Sequence, residues 1–434
     1  MFELPDFLNY WYESGLWRFV RVFWYFVIFE LTRYILLEFG ILLIYTLRAK
    51  KRAARKAEAR RKMWIEMPLL SVIAPGKNEG KNIFKLVNTL REQTYTNLEI
   101  IIVDDGSDDE SGVIGKSLEK NGFIDKFVRN EMRGGKASAA NLALRFCNGK
   151  FCVHLDADSS FDRDAMEEII LPFYMDEKVG GVGGNVKVRN TDFSLCTKLQ
   201  AIEYLKTISV GRIVTSYLGI YRIISGAFGA FRMDALKQVG GWDIGPGLDG
   251  DITVKLRKSG YKIKFVHEAV CLTNVPTKFK VLWKQRSRWS KSLVRFRLRK
   301  HKDVFRPHKG FSVGTFFGFV ENIFYNFVLD IKWYIYVIDM LINYSSWFFF
   351  IIPFNILLYI VAGYMQQFVA YCFSERREEE KKLWLYVPFM VFYTALFLRL
   401  CRTYAYFKEL FFKSSYKDPW NPQKSSYQAY KHGV

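Results

Sequence analysis

The sequence predicts an α/β domain held between membrane helices. Three observations predict it. Residues 17–47 and 311–410 are strongly apolar and aromatic. Between them, short β-rich runs alternate with amphipathic ones. The positive charge is concentrated in two short blocks beside the apolar regions. With 434 residues there is room for two or three domains and a sizeable core. A hydrophobic content of 50% and an aromatic content of 17% exclude a disordered chain.

The first apolar segment, 17–47, is long enough for one tilted membrane helix. Its charged residues Glu30, Arg33 and Glu38 are costly in lipid and are expected to face other helices or snorkel. Arg48–Lys62 follows with nine positive residues and one acid, which orients residues 48 onward toward the cytoplasm. Lys284–Lys302 has nine positive residues and no acid. The two blocks carry 17 of the net +21 charges, so the remainder is nearly balanced. Two such blocks beside apolar helices fit a lipid surface, and nucleic acid is not expected as a partner.

Residues 64–275 read as the α/β domain. SVIAP, EIIIVDD, KFCVHLDAD and KIKFVHEAV are buried strands ending in polar or turn residues. GKNIFKLVNTLREQ, GKASAANLALRFC and DRDAMEEIILPFYM carry apolar residues at helical spacing. This alternation predicts a mostly parallel sheet with ligands beyond the carboxyl ends of its strands. Residues 276–310 are expected to form an interface helix region. Residues 311–410 supply further spans, the first piece long enough for one tilted span or two short ones broken at Asp330-Ile331-Lys332, with the two-span count favoured for about five in all. Residues 411–434 are a polar tail. The six cysteines show no CxxC pair and are expected as reduced thiols, and the acidic N-terminus has no signal-peptide pattern.

Acids at strand ends carry the chemistry. Asp104 and Asp105 close the run EIIIV, and Asp156-Ala157-Asp158 closes KFCVHL. A D-x-D pair on an extended segment can hold a hard divalent ion that bridges to a diphosphate, although solvated acid pairs in turns are also common. Asp249 in LDGDIT can act as a general base or belong to a helix N-terminus. In QRSRW, a helix would put Gln285 and Arg288 on one face beside Trp289. Arg288 suits a phosphate, and Trp289 offers a surface on which a sugar can stack. The alternative is an amphipathic helix facing headgroups. His154, inside a strand, reads as packed rather than catalytic.

The ordered set APGKNEGKNI, VDDGSDD, RGGKASAANLAL, LDADSS, VGGNVKVRN, SGAFGAFR, GGWD, LDGDIT and WKQRSRW resembles the processive family 2 membrane glycosyltransferases. These are the cellulose, chitin, hyaluronan and poly-N-acetylglucosamine synthases. The resemblance covers roughly residues 68–300 and implies a GT-A-type (Rossmann-like) cytoplasmic domain inserted between transmembrane helices, with amphipathic interface helices. It implies that Asn78 and Glu79 border the nucleotide, Asp104 and Asp105 hold base and ribose, and Lys136 lies near the donor. Asp156 and Asp158 hold Mg²⁺ or Mn²⁺. Ser225 and Gly226 floor the acceptor site. Asp249 is the base, Gln285 and Arg288 contact the diphosphate, and Trp289 stacks on the acceptor. Asp105, Asp158, Asp249 and Arg288 are expected around one pyrophosphate.

The implied activity is inverting, metal-dependent polymerisation of a nucleotide sugar, UDP-linked, with export of the polysaccharide. It takes place at a bacterial-type inner membrane, where export or regulatory subunits are further partners. Two other readings are single-sugar transfer to a lipid or short glycan, and a receptor that only binds nucleotide sugar. Two departures from the family pattern stand out. Lys77 replaces an aromatic residue before Asn78-Glu79, and Leu248 replaces an acid before Asp249.

Overall fold

The computed structural model describes residues 4–243, 247–307, 312–418 and 421–431. Parts of the sequence-defined regions lie outside these: 244–246 before Asp249, 308–311 at the start of the second apolar region, and 419–420 and 432–434 in the tail. Every candidate site residue is among the described ones.

The centre is an eight-stranded sheet in the order β3-β2-β1-β4-β7-β6-β8-β5. The strands are β1 (Leu70–Gly76), β2 (Leu98–Asp104), β3 (Lys126–Arg129), β4 (Phe151–Leu155), β5 (Ser160–Phe161), β6 (Val179–Val188), β7 (Phe228–Arg232) and β8 (Lys262–Thr273). The continuous apolar runs of β1, β2 and β4 are buried because helices cover both faces. In Gly80–Arg91 the residues Ile83, Leu86, Val87 and Leu90 form the inward stripe. They join Leu118, Ile169 and Ile170 in the core on one face. On the other face Ala137, Ala140, Leu236, Ile252 and Leu256 form a second core.

The sheet is mostly parallel, as the alternation predicts, with β7 and the short edge strand β5 reversed. β3, β2, β1 and β4 run parallel, whereas β7 is antiparallel to both β4 and β6. Strand periodicity reports burial and not direction, so the reversal was not readable from it. Its consequence is specific. Phe228, the first residue of β7, pairs with Leu155, the last of β4. The turn that enters β7 therefore lies beside the loop that leaves β4.

Helices outside the sheet give a less uniform picture than five equal spans. Two helical stretches, Ser345–Phe373 and Arg377–Phe412, are long and apolar enough to cross a membrane among the described residues. The N-terminal segment bends at Phe23 and is then helical from residue 24 to Leu47, carrying Glu30, Arg33 and Glu38. Residues 313–343 stay helical through Asp330 instead of breaking there. Asp330 is buried and accepts from Arg399 Nε at 3.0 Å and Arg402 Nε at 2.8 Å. A paired carboxylate does not need to end a helix to reach solvent.

The basic blocks are also more than lipid-facing charge. In the helix Ala49–Glu66, Lys56 and Arg60 turn inward, to Glu168 at 2.7 Å and to Glu167 at 2.5 Å, while Lys50, Lys51, Arg61 and Lys62 stay exposed. The second block is spent largely inside the protein. Arg286 pairs with Glu203 at 2.9 Å, Arg299 with Glu409 at 2.6 Å, and Lys300 with Asp251 at 2.7 Å. Burial works against the Asp251 carboxylate, but His301 and Lys300 outweigh it and bring its pKa down to about 2.

Candidate active site

The site forms where β4 ends against the start of β7. Ala157 is buried in the core and its neighbours Asp156 and Asp158 are only partly buried. The loop is held from outside by Arg189, just beyond β6. Arg189 donates to the Asp158 carbonyl at 3.1 Å, Ser160 Oγ at 2.8 Å and the Leu272 carbonyl at 2.7 Å. Sequence reasoning assigned Arg189 no role. Its signal was an arginine closing the strand motif VGGNVKVRN.

Lys136 opens the helix Lys136–Leu144, and its ammonium pairs with Asp156. Burial works against that charge, yet Asp156, Asp249 and Asp158 outweigh it and raise the Lys136 pKa. Asp249 lies in the first turn of the helix Leu248–Lys258, so the base and helix-terminus readings meet in one residue. Its carboxylate lies against the backbone of Gly226. A Cβ at Gly226 would collide with that carboxylate, which is why glycine stands there. Burial, reinforced by Asp156, pushes the Asp249 carboxyl above its ordinary value, against Lys136, the Gly226 N–H and Arg212. Burial and then Asp156 likewise push Asp158 up, while Lys136 and Arg189 oppose them. Glu79 rises through burial and the charges of Asp158 and Asp156, with the Asn82 amide opposing.

These mutual effects make Glu79, Lys136, Asp156, Asp158 and Asp249 one electrostatic cluster. Ser225 and Gly226 border it.

The other predicted residues are placed differently. Asp104 accepts from the backbone N–H and the hydroxyl of Ser107 and is 2% exposed. Asp105 accepts from Gly134 N and Gly135 N, each at 2.8 Å, and from Asn130 Nδ2 at 3.1 Å. Both carboxylates are thus engaged by loops. Asp105 stands one loop away from the cluster and holds the two glycines that precede Lys136. Asn78, with φ of 60°, braces the same edge: it donates N–H to Ser107 Oγ and accepts from Asp108 N. Lys77 donates to the Gly106 carbonyl at 2.9 Å and pairs with Asp108 at 3.0 Å.

Gln285, Arg288 and Trp289 do lie on one helix, Phe279–Ser292. The Gln285 side-chain oxygen is buried with no hydrogen-bond partner. Trp289 is 42% exposed, and the Arg286 guanidinium stands 4.4 Å from its ring centre, so one ring face is covered. Burial lowers the Arg288 pKa and the nearby Asp418 carboxylate opposes that. The neighbour of Arg288 is therefore the C-terminal segment.

That segment is not a free polar tail. Residues 411–412 complete the helix Arg399–Phe412, and the helix Gln423–Lys431 follows. Ser425 Oγ donates to the Gly134 carbonyl at 2.9 Å, and Pro422 packs on Gly135. Nothing local in its composition announced this docking.

His154, one turn of strand before Asp156, is buried and donates Nδ1–H to the Gly226 carbonyl at 2.9 Å. Burial, followed by Lys136, holds its pKa well below the usual imidazole value. Among the described residues no group of three or more His, Cys, Asp or Glu side chains is gathered as a metal site. A cavity of about 720 Å³ opens elsewhere, between Tyr45, His267, Glu268 and residues 372–379, and no candidate site residue lines it.

The geometry agrees with the comparisons. Residues 71–240 match the family described as Glycosyl transferase family 2. That match takes in the motifs from APGKNEGKNI to SGAFGAFR and stops before LDGDIT and WKQRSRW. The poly-beta-1,6-N-acetyl-D-glucosamine synthase of Staphylococcus epidermidis is 37% identical over 215 residues, 49% of this chain and 52% of that protein. The enzyme of the same name from Staphylococcus aureus is 37% identical over 216 residues, with the same shares covered. The chain spans about half the length of the curated relatives it matches. A mannosyltransferase from Pyrobaculum calidifontis, solved with GDP-Man and Mn²⁺, aligns with a TM-score of 0.55 at 20% identity. It covers 87% of this chain and 99% of its own and shows a shared fold.

Proposed function

We propose that the protein is an inverting, processive glycosyltransferase. It polymerises a nucleotide-activated sugar, UDP-linked, into a polysaccharide at the cytoplasmic face of the membrane and passes the chain outward through its helices. The observation that carries this reading is the cluster of Lys136, Asp156, Asp158 and Asp249 at the junction of β4 and β7.

The residues fit a divalent cation. Asp156 and Asp158 provide two partly buried carboxylates, and among the described residues no third protein ligand is gathered. That donor set suits Mg²⁺ or Mn²⁺, which take one or two carboxylates and complete their shell with water and substrate phosphate. When bound, the ion would neutralise the charge that develops on the leaving diphosphate.

The chain's own groups do the rest. Asp249, with its pKa raised, accepts the proton of the acceptor hydroxyl as that oxygen attacks the anomeric carbon. Attack opposite the leaving group inverts the centre, and no covalent enzyme intermediate is required. Lys136 and Arg288 add positive charge for the diphosphate. Gln285 orients it by donating from its side-chain NH2. The free face of Trp289 stacks on the acceptor sugar. Glu79 and the backbone braced by Asn78, Asp104 and Asp105 border the nucleotide.

Purified protein in detergent, with Mn²⁺ or Mg²⁺ and radiolabelled UDP- and GDP-sugars, tests the reading. Long polymer from a UDP-sugar is the expected product. Single-sugar addition would remove processivity, and no transfer from any donor would remove the enzyme reading.

A further inference from the structure

His154 is a buried polar side chain that the mechanism above does not use. It lies in β4, 1% exposed, with its ring centre 5.1 Å from that of Trp242. Its Nδ1 is 2.9 Å from the Gly226 carbonyl. A carbonyl only accepts, so Nδ1 carries the proton. Nε2 is then left buried without a hydrogen-bond partner. An orphaned polar nitrogen in a strand core costs stability. Valine or leucine would fill a β-strand position without that cost, so packing alone does not account for an imidazole here.

The same glycine is held at its other end. The Asp249 carboxylate lies against Gly226, and the glycine has no room for a side chain on that side. The ring opposite is fixed too. Asn141 accepts from Trp242 N at 2.9 Å and donates to the Trp242 carbonyl at 2.7 Å, tying Trp242 to the helix that Lys136 opens. A continuous chain of contacts runs from Asn141 through Trp242, His154 and Gly226 to Asp249.

We propose that His154 is a positioning residue for sugar transfer: by holding the Gly226 carbonyl it fixes the glycine against which the Asp249 carboxylate packs, and so aims that carboxylate at the acceptor hydroxyl. The inference rests on the reading of Asp249 as base. It adds a residue that touches neither donor nor acceptor yet sets the rate of transfer.

The test uses the full-length protein in detergent with Mn²⁺ and the radiolabelled UDP-sugar that the wild type polymerises. His154→Leu keeps volume and removes the donor, whereas His154→Asn returns an N–H close to the Nδ1 position. His154→Leu should lower kcat by about tenfold or more, the scale of a displaced reacting group, with KM for the donor changed less than about twofold. His154→Asn should recover most of that loss although it packs less well. In an Asp249→Asn background, His154→Leu should cause no further loss, because the two act through one step.

Equal loss in both His154 variants, a loss that adds fully to Asp249→Asn, or a lower thermal midpoint with kcat unchanged would each overturn the positioning role. Asp249→Asn at wild-type rate would instead overturn the base assignment and the inference with it. A wild type inert toward every donor would remove both.

Discussion

Two acid pairs stand at the ends of β2 and β4, the strands on either side of β1, and they have opposite fates. Asp104 ends β2 and Asp105 follows it; both oxygens of Asp105 are taken up by Asn130, Gly134 and Gly135, while Asp104 accepts from Ser107 through Oδ1 only and its buried Oδ2 has no hydrogen-bond partner. Asp156 and Asp158 follow β4 and are matched by one ammonium, with burial pushing Asp158 up. A carboxylate saturated by N–H donors is a scaffold. A carboxylate left short of donors in a half-buried loop retains lone pairs for a cation or a proton. Position at a strand end is common to both pairs, so it is hydrogen-bond satisfaction that separates Asp105 from Asp158.

Four experiments break or sharpen that contrast. The largest effect is expected at Asp249, the third acid of the unsaturated set. Asp249→Asn should reduce kcat by ~100-fold or more while donor binding persists, the scale of general-base loss. Steady-state transfer beside equilibrium binding of the nucleotide sugar reads both.

Next, Asp158→Asn should weaken Mn²⁺-dependent donor binding by at least about tenfold, as expected where a carboxylate ligand is lost. Its thermal midpoint should not fall, because the charged form was already disfavoured by burial. An unchanged dependence on Mn²⁺ would move Asp158 into the scaffold class.

Asp105→Ala inverts this pattern. It leaves the Gly134 and Gly135 amides without their acceptor and should cost about 1–3 kcal/mol in denaturant unfolding. A stable Asp105→Ala protein that had lost donor binding would place Asp105 with Asp156 and Asp158.

The smallest effects are in pH. Asp249 sits above its ordinary value in the folded protein, so the acid limb of kcat should lie above the usual aspartate pKa of ~3.9. For stability, raised and depressed carboxyls act in opposite directions. Raised carboxyls such as Asp158 favour the fold at low pH, and that contribution is lost as pH rises through their raised pKa. Asp251 is depressed, so its contribution holds above the ordinary carboxylate value and is lost as pH falls toward 2. Thermal midpoints of Asp158→Asn and Asp251→Asn against wild type across pH would separate the two slopes.

Much of the fold was legible because its signals are local. Apolar runs marked β1, β2, β4 and β8, and helical spacing marked Gly80–Arg91 and Ala165–Met175. The motif acids, the glycine at 226 and the QxxRW spacing were in plain view as well. The direction of β7 was not legible, since an antiparallel strand carries the same apolar pattern as a parallel one. The break expected at Asp330 failed because its partners, Arg399 and Arg402, lie about 70 residues onward. The second basic block looked like a lipid-facing surface for the same reason: Glu203 and Glu409, which absorb Arg286 and Arg299, are distant in sequence.

The amino-acid sequence by itself determined the strands, the helices and the set of acids available at one edge of the sheet, because periodicity and strand ends depend on neighbouring residues. Only the tertiary structure decided which of those acids stay free. Asp105 is quenched by amides 29 and 30 residues away, and Asp249 is aimed through a glycine that reaches it because β7 runs backwards. Whether a lone pair is satisfied depends on what the folded chain brings within about 3 Å, and no local pattern encodes that.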